Sequence, residues 1–346
     1  MKLEFSKKTI PEILAEFDDK KTFDWQNDIF EFLKRFQEQS NEINFHYTQK
    51  ESVLTSVYKY EFVYDAFESL NDKLDLKKGD TALMSFSVLS NEGEISLIQA
   101  IVGGFDLYCN EFSDEIRIPF TGEDQREIGY AIDYSFVTKK QVANSFSQIN
   151  RIRKLAIEAD NLDSDLKIQL RDQDKTDVYQ VFTSNGLPVA VKNIENDYYE
   201  VVDKIDVSVD EKDNLILSSP FEAESLNTQR QVVLSDLKKE FRWLSGNEFR
   251  LGANREIVNL NAIENKLKPF INFNFVVLDF PEKVSKIDVI TLVIESRFAA
   301  EIDIPEAELE SYEVPQQIFY IGEFPQSHDK SEIRSDLKRL LKESNK

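Results

Sequence analysis

The stretch VYQVFTSNGLPVAVKN (178–193) constrains the fold more than any other part of the chain. Two runs rich in β-branched and aromatic residues flank Asn185-Gly186. That dipeptide tolerates the positive φ angles of a two-residue hairpin turn, so an antiparallel strand pair is predicted here. YYEVVDKIDVSVDEKDNLILSS (198–219) continues the pattern, with two more strands around Asp210–Asn214.

Upstream, helix and strand periodicities alternate. FDWQNDIFEFLKRFQ (23–37) places Trp25, Ile29, Phe32, Leu33 and Phe36 at helical spacing. INFHYTQ (43–49) is strand-like, and 52–74 is predicted as one long helix, with Val53, Val57, Tyr60, Tyr64, Phe67 and Leu74 on one side. Gly79, after Lys77 and Lys78, suits the left-handed position that ends it. Strands are predicted at 81–90, 94–102, 105–112 and 115–120, as a small antiparallel meander. The run 94–102 also fits a helix. A further helix is predicted over 138–160, where Thr138 and Gln141 have capping-box spacing. The polar segment 161–177 is predicted as a linker or exposed excursion.

In the second half, helices are predicted at 227–246, 261–270 and 329–346, and strands at 271–280 and 316–324. PEKVSKIDVITLVIESRF (281–298) is divided: Pro281 suits a first helical turn, while the β-branched density suits a strand. Helix is the preferred reading. The sum is an α+β fold in two domains, each a small mostly antiparallel sheet packed with amphipathic helices. They span 1–160 and 178–346.

With 346 residues, 41% of them hydrophobic and 26 of them Phe, the chain can bury enough apolar surface to be globular. Lys and Arg number 42 against 64 Asp and Glu, a net charge of −22. Such a field repels nucleic acid and anionic membranes. A single cysteine, Cys109, excludes an intramolecular disulfide and a cysteine-based zinc site. The first residues, MKLEFSKKTIPEILAEF, carry charges where a secretory signal would be apolar, and no apolar run approaches the ~20 residues of a membrane span. A cytoplasmic protein is expected.

Chemical motifs are sparse. Neither the phosphate-loop nor the dinucleotide-binding glycine pattern occurs, and there is no nucleophile elbow. A Cys109–His46 pair could act as nucleophile and base, but a free cysteine is usually buried and inert. Asp279, near the end of the predicted core strand 271–280, and Glu295 are weak candidates for a metal site of a nuclease, with Glu282 and Lys283 close by in the sequence. Lys139, Lys140, Arg151, Arg153 and Lys154 fall on one predicted helix, as a stripe for phosphate or for an acidic face in a homo-oligomer. No cofactor is called for.

ESRFAAEIDIPEAELESYEVP (295–315) is densely acidic with interleaved apolar residues. It reads as a solvated connection or as a docking face for a basic partner, through Glu301, Asp303, Glu306, Glu308, Glu310 and Tyr312. The functional expectation is a non-catalytic interaction subunit or adaptor, with another protein or a second copy as partner; a bacterial mobile-element or phage-defence system is one setting for it. The alternatives are a metal-dependent nuclease and an acidic nucleic-acid mimic.

Overall fold

The computed structural model describes the chain except for residues 18–21, 39–40, 50–51, 120–129, 160–161, 163, 220–224, 236–238, 246, 252–255, 283–286, 300–301, 303, 305–308, 328–329 and 345–346. The chain divides into two compact units, Met1–Arg242 and Trp243–Lys346. Segment 161–177 contains a helix, and Leu162 and Leu170 within it are buried in the core of the first unit.

The first unit begins with β1 (Lys2–Glu4), α1 (Ile10–Ala15) and α2 (Asp24–Glu38). A hairpin follows, β2 (Glu42–Gln49) and β3 (Ser52–Lys59), then α3 (Tyr60–Lys73). Next come β4 (Thr81–Met84), α4 (Asn91–Gly103), β5 (Asp106–Cys109), β6 (Ile132–Thr138), α5 (Lys139–Asn144), β7 (Ile152–Glu158) and α6 (Ser164–Arg171). The remaining strands are β8 (Asp177–Ser184), β9 (Leu187–Asn193), β10 (Tyr199–Val201), β11 (Asp206–Val209), β12 (Asn214–Ser218), β13 (Leu226–Leu234) and β14 (Glu240–Trp243).

All of these strands except β2 and β3, which pair with each other, form one twelve-stranded mixed sheet, in the order β1-β5-β4-β6-β7-β8-β9-β10-β14-β13-β12-β11. The expectation of two small antiparallel sheets is thereby corrected. Strands β5, β4, β6, β7 and β8 run parallel. Parallel neighbours need crossover connections, usually helical, and both faces of such a sheet are covered. That is why the run 94–102 is helix α4 and not a strand: it carries the chain from β4 to β5. Both faces are indeed buried. Ala82, Met84, Phe136 and Ala156 belong to one core, while Leu83, Val137, Leu155 and Ile157 belong to the other.

Other expectations shift for related reasons. Residues 52–59 pair with 42–49, from Glu42 opposite Lys59 to Gln49 opposite Ser52, so the helix starts only at Tyr60. The capping box at Thr138 is present, but α5 ends at Asn144, and a 3-10 turn (Phe146–Arg151) leads into β7. In place of a helix over 227–246 stand β13 and β14. Residues 111–119 are irregular.

The second unit contains β15 (Glu248–Leu251), β16 (Glu256–Asn259), α7 (Leu260–Leu267), β17 (Phe275–Pro281), β18 (Asp288–Glu295), β19 (Gln317–Ile321) and α8 (Lys330–Ser344). Strands β17 and β18 are antiparallel, and β19 joins β18 in parallel. Within 281–298 the structure has strand where helix was preferred, at Pro281 and over Asp288–Glu295: each of Val289–Ile294 except Thr291 places a large apolar side chain on a sheet buried on both faces. Val277, Ile290 and Leu292 pack with Ile263 and Leu267 of α7, whereas Val276, Leu278 and Val293 pack with Leu337 and Leu341 of α8. Among the described residues, no helix is long and apolar enough to cross a membrane.

Candidate functional site

In open sheets with parallel strands, ligands bind beyond the carboxyl ends of the strands, where the strand order reverses. Here the reversal lies between β4 and β6, since the chain moves from β4 outward to β5 and then back past β4 to β6. The loop after β4 turns tightly onto the start of α4. Ser90 caps that helix by accepting from the Gly93 N–H. A Cβ on Gly93 would lie 2.0 Å from the Ser87 carbonyl oxygen, so no side chain fits. The β8–β9 turn reaches the same place: Gly186, at φ +92°, sits where a Cβ would meet the Phe45 Cβ at 2.7 Å and Asn91 Oδ1 at 3.2 Å. Gln141 seals this edge by donating from Nε2 to the Ser113 carbonyl at 2.8 Å and the Ser85 carbonyl at 3.4 Å. Ser85 Oγ and Asn91 Oδ1 are buried there without a hydrogen-bond partner. A cavity beside the turn, lined by Tyr58, Phe62, Asn185 and Leu187, measures only about 30 Å³. That is room for a water molecule.

The second unit holds a larger cleft, of about 370 Å³, lined by Glu264, Asn265, Lys268, Ile271, Phe273, Asn274, Phe275 and Lys330. Its volume falls within the range of small-molecule sites, about 300–1,000 Å³. At its base lies a buried ionic cluster. Glu264, only 4% exposed, accepts from the Val277 N–H at 2.9 Å, from Lys330 Nζ at 2.5 Å and from Arg334 Nη2 at 2.6 Å. Arg334, 2% exposed, also donates to the Val277 carbonyl at 2.8 Å, to Asn261 Oδ1 at 2.7 Å and to Asn247 Oδ1. Periodicity brings this cluster together: Asn261 and Glu264 are one turn apart on α7, and Lys330 and Arg334 one turn apart on α8. Sequence reasoning missed it. An apolar α7 stripe interrupted by Glu264 was the available signal.

The sequence candidates distribute differently. Asp279 is paired with Lys338 at 2.6 Å, and Glu295 accepts from Asn274 Nδ2 at 2.8 Å and the Phe324 N–H at 2.7 Å. Those two hydrogen bonds hold the Glu295 carboxyl below the usual carboxylate range. Asp279 faces Ile290 in the ladder, five residues from Glu295 along β18, roughly 17 Å at the usual strand rise. They form no shared site, and no metal-binding group of acidic, Cys and His residues occurs among the described residues. Cys109 is fully buried, and burial pushes its thiol up to about 12, which removes the thiolate a nucleophile needs.

The basic stripe is dispersed because its helix ends at Asn144. Lys139 and Lys140 are exposed, and Lys140 pairs with Asp114 at 2.5 Å. Arg151 donates to Gln148 within the 3-10 turn. Arg153 bridges Asp80 and Asp133. Lys154, 4% exposed, donates to the Leu74 and Asp75 carbonyls. Of the acidic stretch, Glu301, Asp303, Glu306 and Glu308 lie outside the described residues. Glu310 and Tyr312 are exposed, beside Glu313, which pairs with Lys266 at 2.5 Å.

No family model and no curated protein matches the chain. Solved structures do. An acyl-CoA synthetase (AMP-forming)/AMP-acid ligase II-like protein from Dyadobacter fermentans superposes with a TM-score of 0.63 at 17% identity, covering 95% of this chain and 99% of that one. Wild-type E. coli MenE, bound to a phenylether-linked analogue of OSB-AMS, gives 0.50 at 12% identity, over 86% of this chain and 69% of that one. At these identities the shared property is the fold. It is one found among ligases, which overturns the expectation of a non-catalytic adaptor. The nuclease and mimic alternatives and the phage-defence setting fall with it.

Proposed function

We propose that the chain is a carboxylate-activating ligase of the AMP-forming acyl-CoA synthetase type. The supporting observation is the end-to-end likeness to the Dyadobacter protein, whose whole length it spans. In the proposed reaction a carboxylate oxygen attacks the α-phosphorus of ATP. The bond to pyrophosphate breaks, and an acyl adenylate forms. A thiolate then attacks the acyl carbon, a thioester forms and AMP leaves.

Both steps build negative charge on phosphate or acyl oxygens, which preorganised donors must meet. The chain has no glycine-rich phosphate loop to supply them. Backbone N–H groups and lysines carry that duty in this reading, and the cleft of the second unit offers Lys268 and Lys330. The β4/β6 edge, with unpaired Ser85 Oγ and Asn91 Oδ1, is one place in the first unit where buried polar groups remain for a ligand. A cytoplasmic location accompanies the reading, since ATP and CoA are found there.

The test is ATP–pyrophosphate exchange across a panel of carboxylic acids, followed by CoA-dependent release of AMP. O-Succinylbenzoate is the first acid to try, being in the name of the MenE synthetases. Exchange that depends on one class of acid supports the reading. Exchange at background across aromatic and aliphatic acids refutes it.

A further inference from the structure

A row of side chains crosses the central sheet on the face that α6 covers. Gln180 of β8 stands opposite Lys192 of β9 in the ladder, and Ile157 of β7 stands beside Gln180. Side chains of directly paired residues share a face, with Cβ atoms about 4.5–5.5 Å apart. Tyr199 of β10 lies on the other side of Lys192, whose Nζ is 4.6 Å from the ring centroid. Ile157, Val178 and Ile194 pack on this face with Leu166 and Leu170 of α6. Gln180 is in the middle of β8, so the row is separate from the β4/β6 edge beyond the carboxyl ends of the strands.

The row carries more donors than acceptors. Gln180 is 1% exposed, and its Nε2 has no hydrogen-bond partner among the described residues. A buried amide left in that state is costly. Lys192 is half-buried, and its ammonium donates to the Asp197 carbonyl at a long 3.5 Å. Burial, and after it the charge of Lys167 on α6, push that ammonium down to about 8, with Asp197 acting the other way. At that value most of the population is still charged near neutral pH. Arg171, one turn along α6 from Lys167, is paired with Glu195 at 3.1 Å, so the Glu195 carboxylate is already engaged.

Two defects therefore stand side by side: an amide without an acceptor, and a cation held out of water near another cation. A water molecule answers the first and leaves the second. An acceptor-only ion answers both. We infer that Gln180 Nε2 and Lys192 Nζ together hold a small monovalent anion, a halide or a carboxylate no larger than formate. The burial of Gln180 leaves no place for a bulky anion. The inference does not depend on the ligase reading.

The test follows thermal melting of the full chain at pH 7 and fixed ionic strength, with sodium gluconate replaced stepwise by chloride or by formate. The melting temperature is expected to rise and then saturate with the small anions. The one that saturates at the lower concentration shows whether the site prefers an inorganic ion or a carboxylate. Gln180→Leu and Lys192→Met should each raise the half-saturating concentration by about tenfold or more, as loss of a hydrogen bond to a charged partner does. Gln180→Leu removes an orphaned donor and Lys192→Met an uncompensated charge, so both variants fold without the ion, and circular dichroism checks this. Bromide soaked into crystals locates the site, with an anomalous peak expected between Lys192 Nζ and Gln180 Nε2. No response, a response that does not saturate, an equal response in the wild type and both variants, or bromide bound only elsewhere overturns the inference.

Discussion

Arg334→Ala should be the most damaging single truncation of a polar side chain in the second unit. The guanidinium is 2% exposed and spends its donors on one backbone carbonyl, two asparagine oxygens and Glu264. Removing it leaves Glu264, 4% exposed, with Lys330 and one backbone N–H. Breaking a buried ion pair from one side costs about 3–5 kcal/mol. Lys330 stays on the other carboxylate oxygen, so a loss near the lower end, about 3 kcal/mol, is expected. For a unit of this size that corresponds to a melting shift of upwards of about 12 °C. Urea denaturation measures the loss, and hydrogen exchange at α7 and β17 assigns it to this unit. Lys330→Ala is the internal contrast: at 55% exposure its pair with Glu264 is worth at most about 1 kcal/mol. A double-mutant cycle with Glu264→Gln should show strong coupling to Arg334. If Arg334→Ala costs under about 1 kcal/mol, or the cycle is additive, the cluster is not the keystone argued here.

Three further outcomes are expected. Gly93→Ala drives a Cβ into the Ser87 carbonyl and should cost about 1–3 kcal/mol in a urea melt, since backbone must move; a neutral substitution would mean that the β4–α4 loop is slack. Thr138→Ala removes the α5 capping box and should cost about 1 kcal/mol by the same measurement. Burial pushes the Lys192 ammonium down to about 8 from 10.5, with Lys167 adding to the effect, although the Tyr199 ring 4.6 Å away favours the charged form. The unfolded chain therefore holds more protons between those two values, and stability rises with pH across that window. Lys192→Met should raise the melting temperature at pH 7 and lose that advantage near pH 10.5; a pH-independent gain would refute the assignment.

The sequence made the hairpin at Asn185-Gly186 legible because the turn needs its chemistry locally: Asn185 takes φ +48° and Gly186 φ +92°. The helices at 24–38, 260–267 and 330–344 were legible because each keeps one wet face. The central sheet was legible only in part: strands were expected where β4 and β5 stand, but β6 and β7, buried on both faces, show no alternation, and a short apolar run does not reveal its period. The same ambiguity made α4 look like a strand, because its residues from Gly93 to Ala100 are all buried. Parallel pairing is a non-local property: β4 meets β6 across some fifty residues. The ionic cluster failed to appear for a similar reason. Glu264 and Arg334 are seventy residues apart, and each alone looks like one more charge on an amphipathic helix.

Net charge misled at the scale that matters for a small ligand. A charge of −22 repels a long polyanion, whose many phosphates sample the whole field of the molecule. A single phosphate seated in a cleft samples charges within about one Debye length, roughly 8–10 Å. At that range the relevant groups are Lys268 and Lys330, with Glu264 already held by Arg334. Composition therefore bears on a long polyanion and says nothing about a nucleotide. If the cleft is occupied by phosphate as proposed, raising ionic strength should weaken binding only modestly, because the contacts are few and close. A steep salt dependence, of the kind that follows release of many counterions, would instead mean that the ligand reads a wider surface than this cleft.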